Sequence, residues 1–312
     1  MANSELIAAQ VVRVPTGIAN CYIVGTPEAW VMIDAGTPGS AKNILRAVRE
    51  HFGADAVPAA IVLTHGHFDH SGSARELAER WRVEIYAHRL ELPFVNGSSR
   101  YPAPDPTVGG FMSQVIRFLP NKKMDLGHNL RQLPAGRLPW LPEWEILETP
   151  GHSPGHVSFF RGTDGTVLAG DAFATVNQNS IHDVITQRQQ VAGPPPYSNC
   201  DWQAAERSMK KLAELRPRVL AAGHGIPMRG AQAAAQLRAL ANNFPIPDNG
   251  RYVREPARTD ESGIVYLPPP VSDPVKIGAL AAVGVLGLAG AGWVARSRRQ
   301  RIRAQRQLEQ AA

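Results

Sequence analysis

The chain has 312 residues, 44% hydrophobic and 19% charged, a balance that is typical of a globular protein with a substantial core. The net charge is +6, but six arginines and one glutamate in residues 296–312 supply nearly all of it, so the remaining chain offers no basic surface for nucleic acid. The two cysteines, Cys21 and Cys200, are far apart and form no CxxC pattern, which argues against a disulfide framework and a thiolate zinc finger.

The N-terminal third contains predicted strands followed by a helix. Residues MANSELIAAQVVRV lack a basic segment followed by an apolar one, so we expect no secretory signal. The apolar runs of this region predict strands over residues 7–14, 20–25 and 29–34. The third strand ends in a turn that contains Asp34. Apolar residues at helical spacing then predict a helix over 40–52, which Gly53 terminates.

The sequence THGHFDH, residues 64–70, concentrates three of the ten histidines of the chain. It follows a fully apolar predicted strand, 59–64, and precedes a helix predicted over 71–81 with Ser71 as its N-cap. The motif therefore lies on a loop between a strand and a helix, where the edge of a sheet presents ligands.

The spacing within this motif suits metal binding. His65 and His67 are two residues apart, so they cannot share one face of a helix, but at an extended strand end both point to the same side. We expect both imidazoles to reach one metal ion, while Asp69 and His70 turn towards a second ion nearby.

Residues 93–145 are irregular, rich in proline and aromatic residues, and predicted to form a functional loop or lid with one short helix that begins near Phe111. Regular structure is predicted to return with strands at 143–150 and 218–223 and with helices at 201–215 and 229–241. Three further polar turns each follow an apolar strand in this half, and they contain His152, Asp171 and His224. Such turns can converge at one edge of the sheets.

Two segments, NCYIVGTPEAWVMIDAG and HVSFFRGTDGTVLAGDA, share a pattern of strand, turn, strand and a final Asp with Gly and Ala. This internal similarity predicts a duplicated β-sandwich with helices on both faces, an α/β layered fold.

The order HxHxDH, then Gly-His, Gly-Asp and a final Gly-His, resembles the metallo-β-lactamase superfamily. It is most similar to the hydrolase branch that includes glyoxalase II-like thioesterases and acyl-homoserine lactonases. The resemblance covers roughly residues 7–245 and implies an αββα sandwich, with a hydrolase domain at 1–245.

The resemblance also implies a dinuclear metal site. His65, His67 and His152 would hold one ion, and Asp171 would bridge it to a second. The residues implied for the second ion are Asp69, His70 and His224, with Asp34 supporting the site from outside. Two zinc ions are expected, although iron or manganese accepts the same nitrogen and oxygen ligands.

The implied reaction is hydrolysis of an ester, thioester or lactone in a small acyl substrate by a metal-bridged hydroxide. Asp69 and Asp171 can also guide the proton. The bridging aspartate argues against β-lactam hydrolysis, while Ala174 stands where lactonases of this branch have tyrosine. Basic residues for glutathione and a GxSxG nucleophile are not recognisable. The residues predicted to line the substrate pocket are Phe68, Phe111, Phe173 and His182.

Three other functions stay open at this point. The first is a mononuclear Fe(II) persulfide dioxygenase-like oxidoreductase on the same fold. The second is a nuclease with the same HxHxDH motif, which the near-neutral body disfavours. The third is a membrane module that kept the fold without the activity.

The C-terminal part predicts a membrane anchor. A Pro-rich linker is expected at 246–276, followed by nineteen uncharged residues, 277–295, that are long enough for a transmembrane helix. The basic tail 296–312 can bind anionic headgroups. We therefore predict a protein anchored by its C-terminus, with the catalytic domain in the cytoplasm.

Overall fold

The computed structural model describes residues 4–116, 121–273 and 275. One compact unit extends to Pro270, and a second comprises Val271–Ala312, of which only 271–273 and 275 are described. Within the described residues, no helix is long and apolar enough to cross a membrane. The predicted membrane helix 277–295 and basic tail 296–312 lie outside the described residues, so the anchor stays a prediction.

Seven strands of the described chain form the first sheet, in which spatial order follows chain order. These strands are β1 (Glu5–Ala8), β2 (Val11–Pro15), β3 (Asn20–Thr26), β4 (Ala29–Ile33), β5 (Ile61–Val62), β6 (Ile85–Ala87) and β7 (Leu130–Gln132). Strands β1 to β4 are antiparallel, whereas β4 to β7 run parallel.

Six strands of the described chain form the second sheet. These strands are β8 (Arg137–Leu138), β9 (Leu141–Glu148), β10 (Val157–Arg161), β11 (Thr166–Leu168), β12 (Val219–Ala221) and β13 (Met228–Arg229). Their order is β13-β12-β11-β10-β9-β8, with β11 and β12 parallel. A separate hairpin consists of β14 (Arg258–Asp260) and β15 (Gly263–Tyr266). The loop region predicted at 93–145 thus contributes β7 to one sheet and β8 to the other.

The helices lie mainly between strands. They are α1 (Ala41–Phe52), α2 (Phe68–Ser71), α3 (Ala74–Trp81), α4 (Leu92–Val95), α5 (Phe111–Ile116), α6 (Ile181–Thr186), α7 (Trp202–Glu214) and α8 (Gly230–Asn242). Short 3₁₀ turns occur at Pro106–Val108 and Pro196–Ser198.

Successive side chains of a strand point to opposite faces of the sheet, and this alternation produces the layers. On β3, Cys21 and Ile23 belong to a core cluster with α1 and α3, whereas Tyr22 and Val24 face the second sheet. The central cluster includes Phe159 from β10. The opposite face of the second sheet packs against α7 and α8. The four layers confirm the predicted αββα sandwich.

Two predicted elements are divided in the structure. The strand predicted at 7–14 is two strands, because the chain turns at Gln10, which has a φ of +58°. The helix predicted at 71–81 is also two helices, α2 and α3. Ser71 therefore does not cap it, and its hydroxyl donates to the carbonyl oxygens of Gly66 and His67.

The segment predicted as a Pro-rich linker, 246–276, carries folded structure up to Pro270. Tyr252 is only 2% exposed and clusters with Trp202, and its hydroxyl donates to the carbonyl oxygen of Ala103. Burial of these aromatic rings offsets the cost of ordering the proline-rich chain, so most of this segment is part of the compact unit.

Candidate metal centre

The predicted metal ligands lie at one edge of the sandwich because each follows the end of a strand. His65 comes after β5, His152 after β9, Asp171 after β11 and His224 after β12. His67 precedes the short helix α2, which then carries Asp69 and His70.

The seven side chains form three overlapping groups in which the potential ligand atoms lie within 4.8 Å of one another. The groups are His65, His67 and His152; His65, His70 and Asp171; and Asp69, His70 and His224. The first and third groups are the two ligand sets implied by the sequence. The structure thus brings together all seven predicted residues.

Asp171 contacts histidines from both sets. Its carboxylate lies 3.4 Å from Nε2 of His70 and 3.4 Å from Nε2 of His152. The distance to Nε2 of His224 is 3.1 Å, and Asp69 is 3.6 Å from the same nitrogen. This position suits a carboxylate shared by two ions.

The site fits metal ions because some of its atoms are buried without a hydrogen-bond partner among the described residues. Nε2 of His65, Nε2 of His70 and Oδ1 of Asp171 are such atoms, and they belong to one group. A buried polar atom without a partner is costly and needs an explanation. Coordination by these nitrogen and oxygen donors supplies it, and they suit zinc, iron or manganese.

The protonation states of the metal-free site differ between the two ligand sets. Burial and the neighbouring histidines hold the pKa of His65 well below its usual range, and burial does the same for His152. Burial opposes ionisation of Asp171, but His224 and His70 outweigh it and hold the pKa of Asp171 well below normal. His65 and His152 are therefore in the neutral form that metals require. Burial opposes protonation of His70 and His224, but Asp171 and the other carboxylates outweigh it and raise the pKa of both rings, so a metal ion has to displace a proton from each of them.

Asp34 lies where the sequence places a supporting residue, and it fixes the orientation of two imidazoles. Its carboxylate accepts from Nδ1 of His70 at 2.8 Å and from the Thr64 hydroxyl at 2.8 Å. Because that hydroxyl donates to Asp34, it accepts from Nδ1 of His65, which is 3.1 Å away. Both histidines therefore turn Nε2 to the centre. Ile18 does the same for His224, since its carbonyl oxygen accepts from Nδ1 at 2.8 Å.

Glu91 is a component of the site that the sequence analysis missed. It is fully buried, and its Oε1 accepts from the Ser153 hydroxyl and the Gly155 amide, both at 2.7 Å. Its Oε2 accepts from the Gly66 amide at 3.0 Å and from the Tyr101 hydroxyl. One carboxylate thus joins the loop of His65 and His67 to the loop of His152. A lone charge within the apolar run LELPFV was the available sequence signal.

His156 packs beside the site and holds the backbone of Asp171. Its Nε2 accepts from the Asp171 amide at 2.9 Å, so Nδ1 carries the proton and donates to the Thr149 hydroxyl at 2.9 Å. Burial lowers the pKa of His156 to about 3, which keeps the ring neutral.

Glycine at two positions allows the side chains of the site to pack this closely. A Cβ atom at Gly66 would collide with Val95 and with the Tyr101 hydroxyl. A Cβ atom at Gly223 would collide with the carboxylate of Asp171 and the ring of His70. Glycine is needed at both positions for steric reasons.

The predicted pocket residues have different positions. Phe68 is 44% exposed beside Asp69 and is free to contact a substrate. Phe173 is fully buried in the core under α7 and α8, so it forms no pocket wall. The side chain of His182 is 72% exposed and pairs with Asp183. Phe111 begins α5, but its side chain lies outside the described part.

Tyr197 is a second residue that the sequence analysis missed. It is 9% exposed, and its hydroxyl donates to Oε1 of Gln178 at 3.2 Å. Burial raises the pKa of Tyr197, and the nearby carboxylates of Asp69 and Asp171 raise it further. The charges of these two predicted ligands therefore act on the tyrosine.

Comparison with known proteins agrees with this geometry. A family model of the metallo-beta-lactamase superfamily matches residues 14–224. Probable metallo-hydrolase YflN of Bacillus subtilis is 41% identical over 232 residues, which cover 73% of this chain and 88% of the relative.

Two other similar proteins match a smaller part of this chain or have a lower sequence identity to it. Hydroxyacylglutathione hydrolase GloC of Haemophilus influenzae is 28% identical over 153 residues, 49% of this chain and 65% of the relative. The solved structure of Rm3 metallo-beta-lactamase superposes with a TM-score of 0.55, covering 78% of this chain and 92% of that one at 20% identity, which shows the fold alone. The family match and the identity to YflN show that this chain belongs to the metallo-β-lactamase superfamily.

Proposed function

We propose that this protein is a metal-dependent hydrolase that cleaves an ester, thioester or lactone bond in a small acyl substrate. The observation that carries the proposal is the convergence of seven histidine and aspartate side chains at one edge of the sandwich. The name of the GloC relative, which describes hydrolysis of a hydroxyacylglutathione, supports a reaction at an acyl carbon.

We assign His65, His67 and His152 to one ion and the group containing His70 to a second, with Asp171 shared. The remaining ligands of the second ion are Asp69 and His224. Two zinc ions are the proposed complement. Bound ions of this type lower the pKa of water and polarise a carbonyl group, which is the chemistry they supply.

The protein's own residues hold the reacting groups and accept protons. Asp171 is held ionised beside three histidines, whereas Asp69 is 8% exposed. Either carboxylate can accept the proton that water loses when it adds to the carbonyl carbon. The C–O or C–S bond then breaks, and the proton passes to the leaving oxygen or sulfur.

A covalent intermediate on cysteine is disfavoured. Cys21 and Cys200 are buried, and burial raises the pKa of both thiols. A buried neutral thiol is a poor nucleophile, so water is the attacking group.

The test is metal analysis of the full chain together with a panel of esters, thioesters, lactones and one β-lactam. We expect about two metal ions per chain and hydrolysis of at least one acyl class, lost with a chelator and restored by zinc. His67→Ala should lose this activity, while His51→Ala, on the surface, is the control. One iron per chain with oxygen consumption would instead favour the persulfide dioxygenase-like function.

We also propose that residues 277–295 anchor the protein in a membrane with the catalytic domain in the cytoplasm. The support is the nineteen-residue uncharged run before a basic tail. Protease digestion of sealed vesicles tests it, and protection of the catalytic domain in inside-out vesicles would contradict it.

A further inference from the structure

A cavity of about 230 Å³ opens next to the chain segment that follows Asp171. Asn177 and Gln178 line it, six and seven residues along the chain from that aspartate. Its other walls include Val108, Pro196, Trp202, Phe244 and Ile246. None of the predicted ligands lines the cavity, so it is distinct from the metal centre itself.

Two connections link the cavity to the centre. The Thr175 amide donates to the carbonyl oxygen of His224 at 2.9 Å, and the adjacent Ala174 pairs with Ala192, which lines the cavity. Tyr197 provides the second connection, since its hydroxyl donates to Gln178 and the charges of Asp69 and Asp171 act on it and raise its pKa. These contacts connect the walls of the cavity to the chain segments that carry Asp171 and His224.

The walls of the cavity select for neutral groups. None of its described lining residues carries a charge, and most are apolar or proline. A charged substrate group would lose hydration there without gaining an oppositely charged partner. Gln178 is 9% exposed, and its side-chain oxygen accepts from the Tyr197 hydroxyl. Its NH₂ group has no hydrogen-bond partner among the described residues. That group can donate to a neutral oxygen.

The volume of the cavity limits the size of the substrate group that it can hold. A water-sized group occupies about 30 Å³, so the cavity holds roughly seven such groups. We propose that the cavity receives the neutral, mainly apolar acyl chain of the substrate, about six carbons long, while the scissile carbonyl lies at the metal centre. This proposal rests on the proposed hydrolase function and specifies its substrate class.

Direct binding tests the cavity without any turnover. NMR titration of the full chain with hexanamide, a neutral probe, should show binding to the wild type. Ala192→Leu narrows the cavity and should weaken binding at least tenfold, whereas Ala54→Leu, at an exposed turn, should bind like the wild type. Equal binding by the wild type and Ala192→Leu would overturn the proposal.

Charge selectivity is tested with 6-aminohexanamide, which carries an ammonium group at the far end of the same chain. We expect binding at least tenfold weaker than that of hexanamide, because no described lining residue offers the ammonium group a negative charge. Equal affinity for the two probes would overturn the neutral substrate class. Should Ala192→Leu fail to fold, Ile246→Trp, at a site that is 38% exposed, fills the same cavity.

Kinetics provide the functional readout. With acetyl, butanoyl and hexanoyl esters, kcat/KM of the wild type should rise with chain length. Ala192→Leu should lower the ratio of hexanoyl to acetyl kcat/KM about tenfold through KM, and an unchanged ratio would contradict the proposal. If no ester is hydrolysed, the hydrolase function fails, but hexanamide binding still decides whether the cavity takes a neutral chain.

Discussion

Two buried carboxylates outside the HxHxDH motif support the metal centre, and they do so differently. Asp34 bonds directly to Nδ1 of His70 and, through the Thr64 hydroxyl, to Nδ1 of His65. Among the described residues, Glu91 makes no hydrogen bond to a ligand side chain, and it accepts hydrogen bonds from the two loops that carry His67 and His152. Asp34 therefore determines which nitrogen is free for metal, whereas Glu91 determines where the loops lie.

One centre thus combines chemical and geometric support. Loss of Asp34 should act mainly on metal affinity and on histidine tautomers. Loss of Glu91 should act first on the stability of the metal-free protein, because it leaves buried donors without an acceptor. The variants below separate the two effects, from the largest expected change to the smallest.

Asp171→Ala should produce the largest effect because Asp171 contacts histidines of both ligand sets. We expect the metal content to fall below two ions per chain and kcat/KM to fall about a thousandfold, which is roughly 4 kcal/mol of barrier. Mass spectrometry of metals and steady-state kinetics measure both. Asp55→Ala, on the surface, is the control. An Asp171→Ala protein that binds two metal ions and keeps its activity would contradict the proposal that Asp171 is shared by both ions.

Asp34→Asn should lower metal affinity about 10–100-fold. The amide NH₂ group favours a bare Nδ1 on His70, which moves the proton to Nε2 and blocks that nitrogen. Chelator competition measures the affinity, and ¹⁵N NMR of the histidines reports the tautomer. An unchanged His70 tautomer with normal affinity would show that Asp34 has no such role.

Glu91→Gln should reduce the stability of the metal-free protein by about 1–3 kcal/mol, because its NH₂ group cannot accept from Gly66 or Tyr101. Metal affinity should fall less than in Asp34→Asn, and the His70 tautomer should stay unchanged. Urea unfolding of the metal-free protein measures the loss, with the exposed Glu79→Gln as the control. A larger effect on affinity than that of Asp34→Asn would reverse the comparison.

His182→Ala should change activity less than twofold. Its side chain is 72% exposed and pairs with Asp183. Steady-state kinetics with the best ester measure this, and a drop of more than tenfold would restore His182 as a substrate contact.

The sandwich and the convergence of the seven candidate ligands were predictable from the sequence because both follow from short local patterns. Alternation along strands such as β3 defines the layers, and the seven ligands follow strand ends within recognisable turns. Asp34 was predictable because it occupies a turn of the same kind.

Glu91 and Tyr197 were not predicted because their roles depend on contacts distant in sequence. Glu91 reaches Gly155 across 64 positions, and no local spacing indicates that pairing. Phe173 was mistaken for a pocket wall because an apolar residue beside a ligand has the same local pattern in a core and in a pocket. The structure places it in the core.

Anomalous diffraction from crystals of the full chain, collected at the edge of the bound metal, tests the central claim most directly. The account predicts two peaks, one among His65, His67 and His152 and one among Asp69, His70 and His224, with Asp171 in contact with both ions. A single peak, or peaks away from these residues, would contradict the proposed dinuclear centre and the reaction that depends on it.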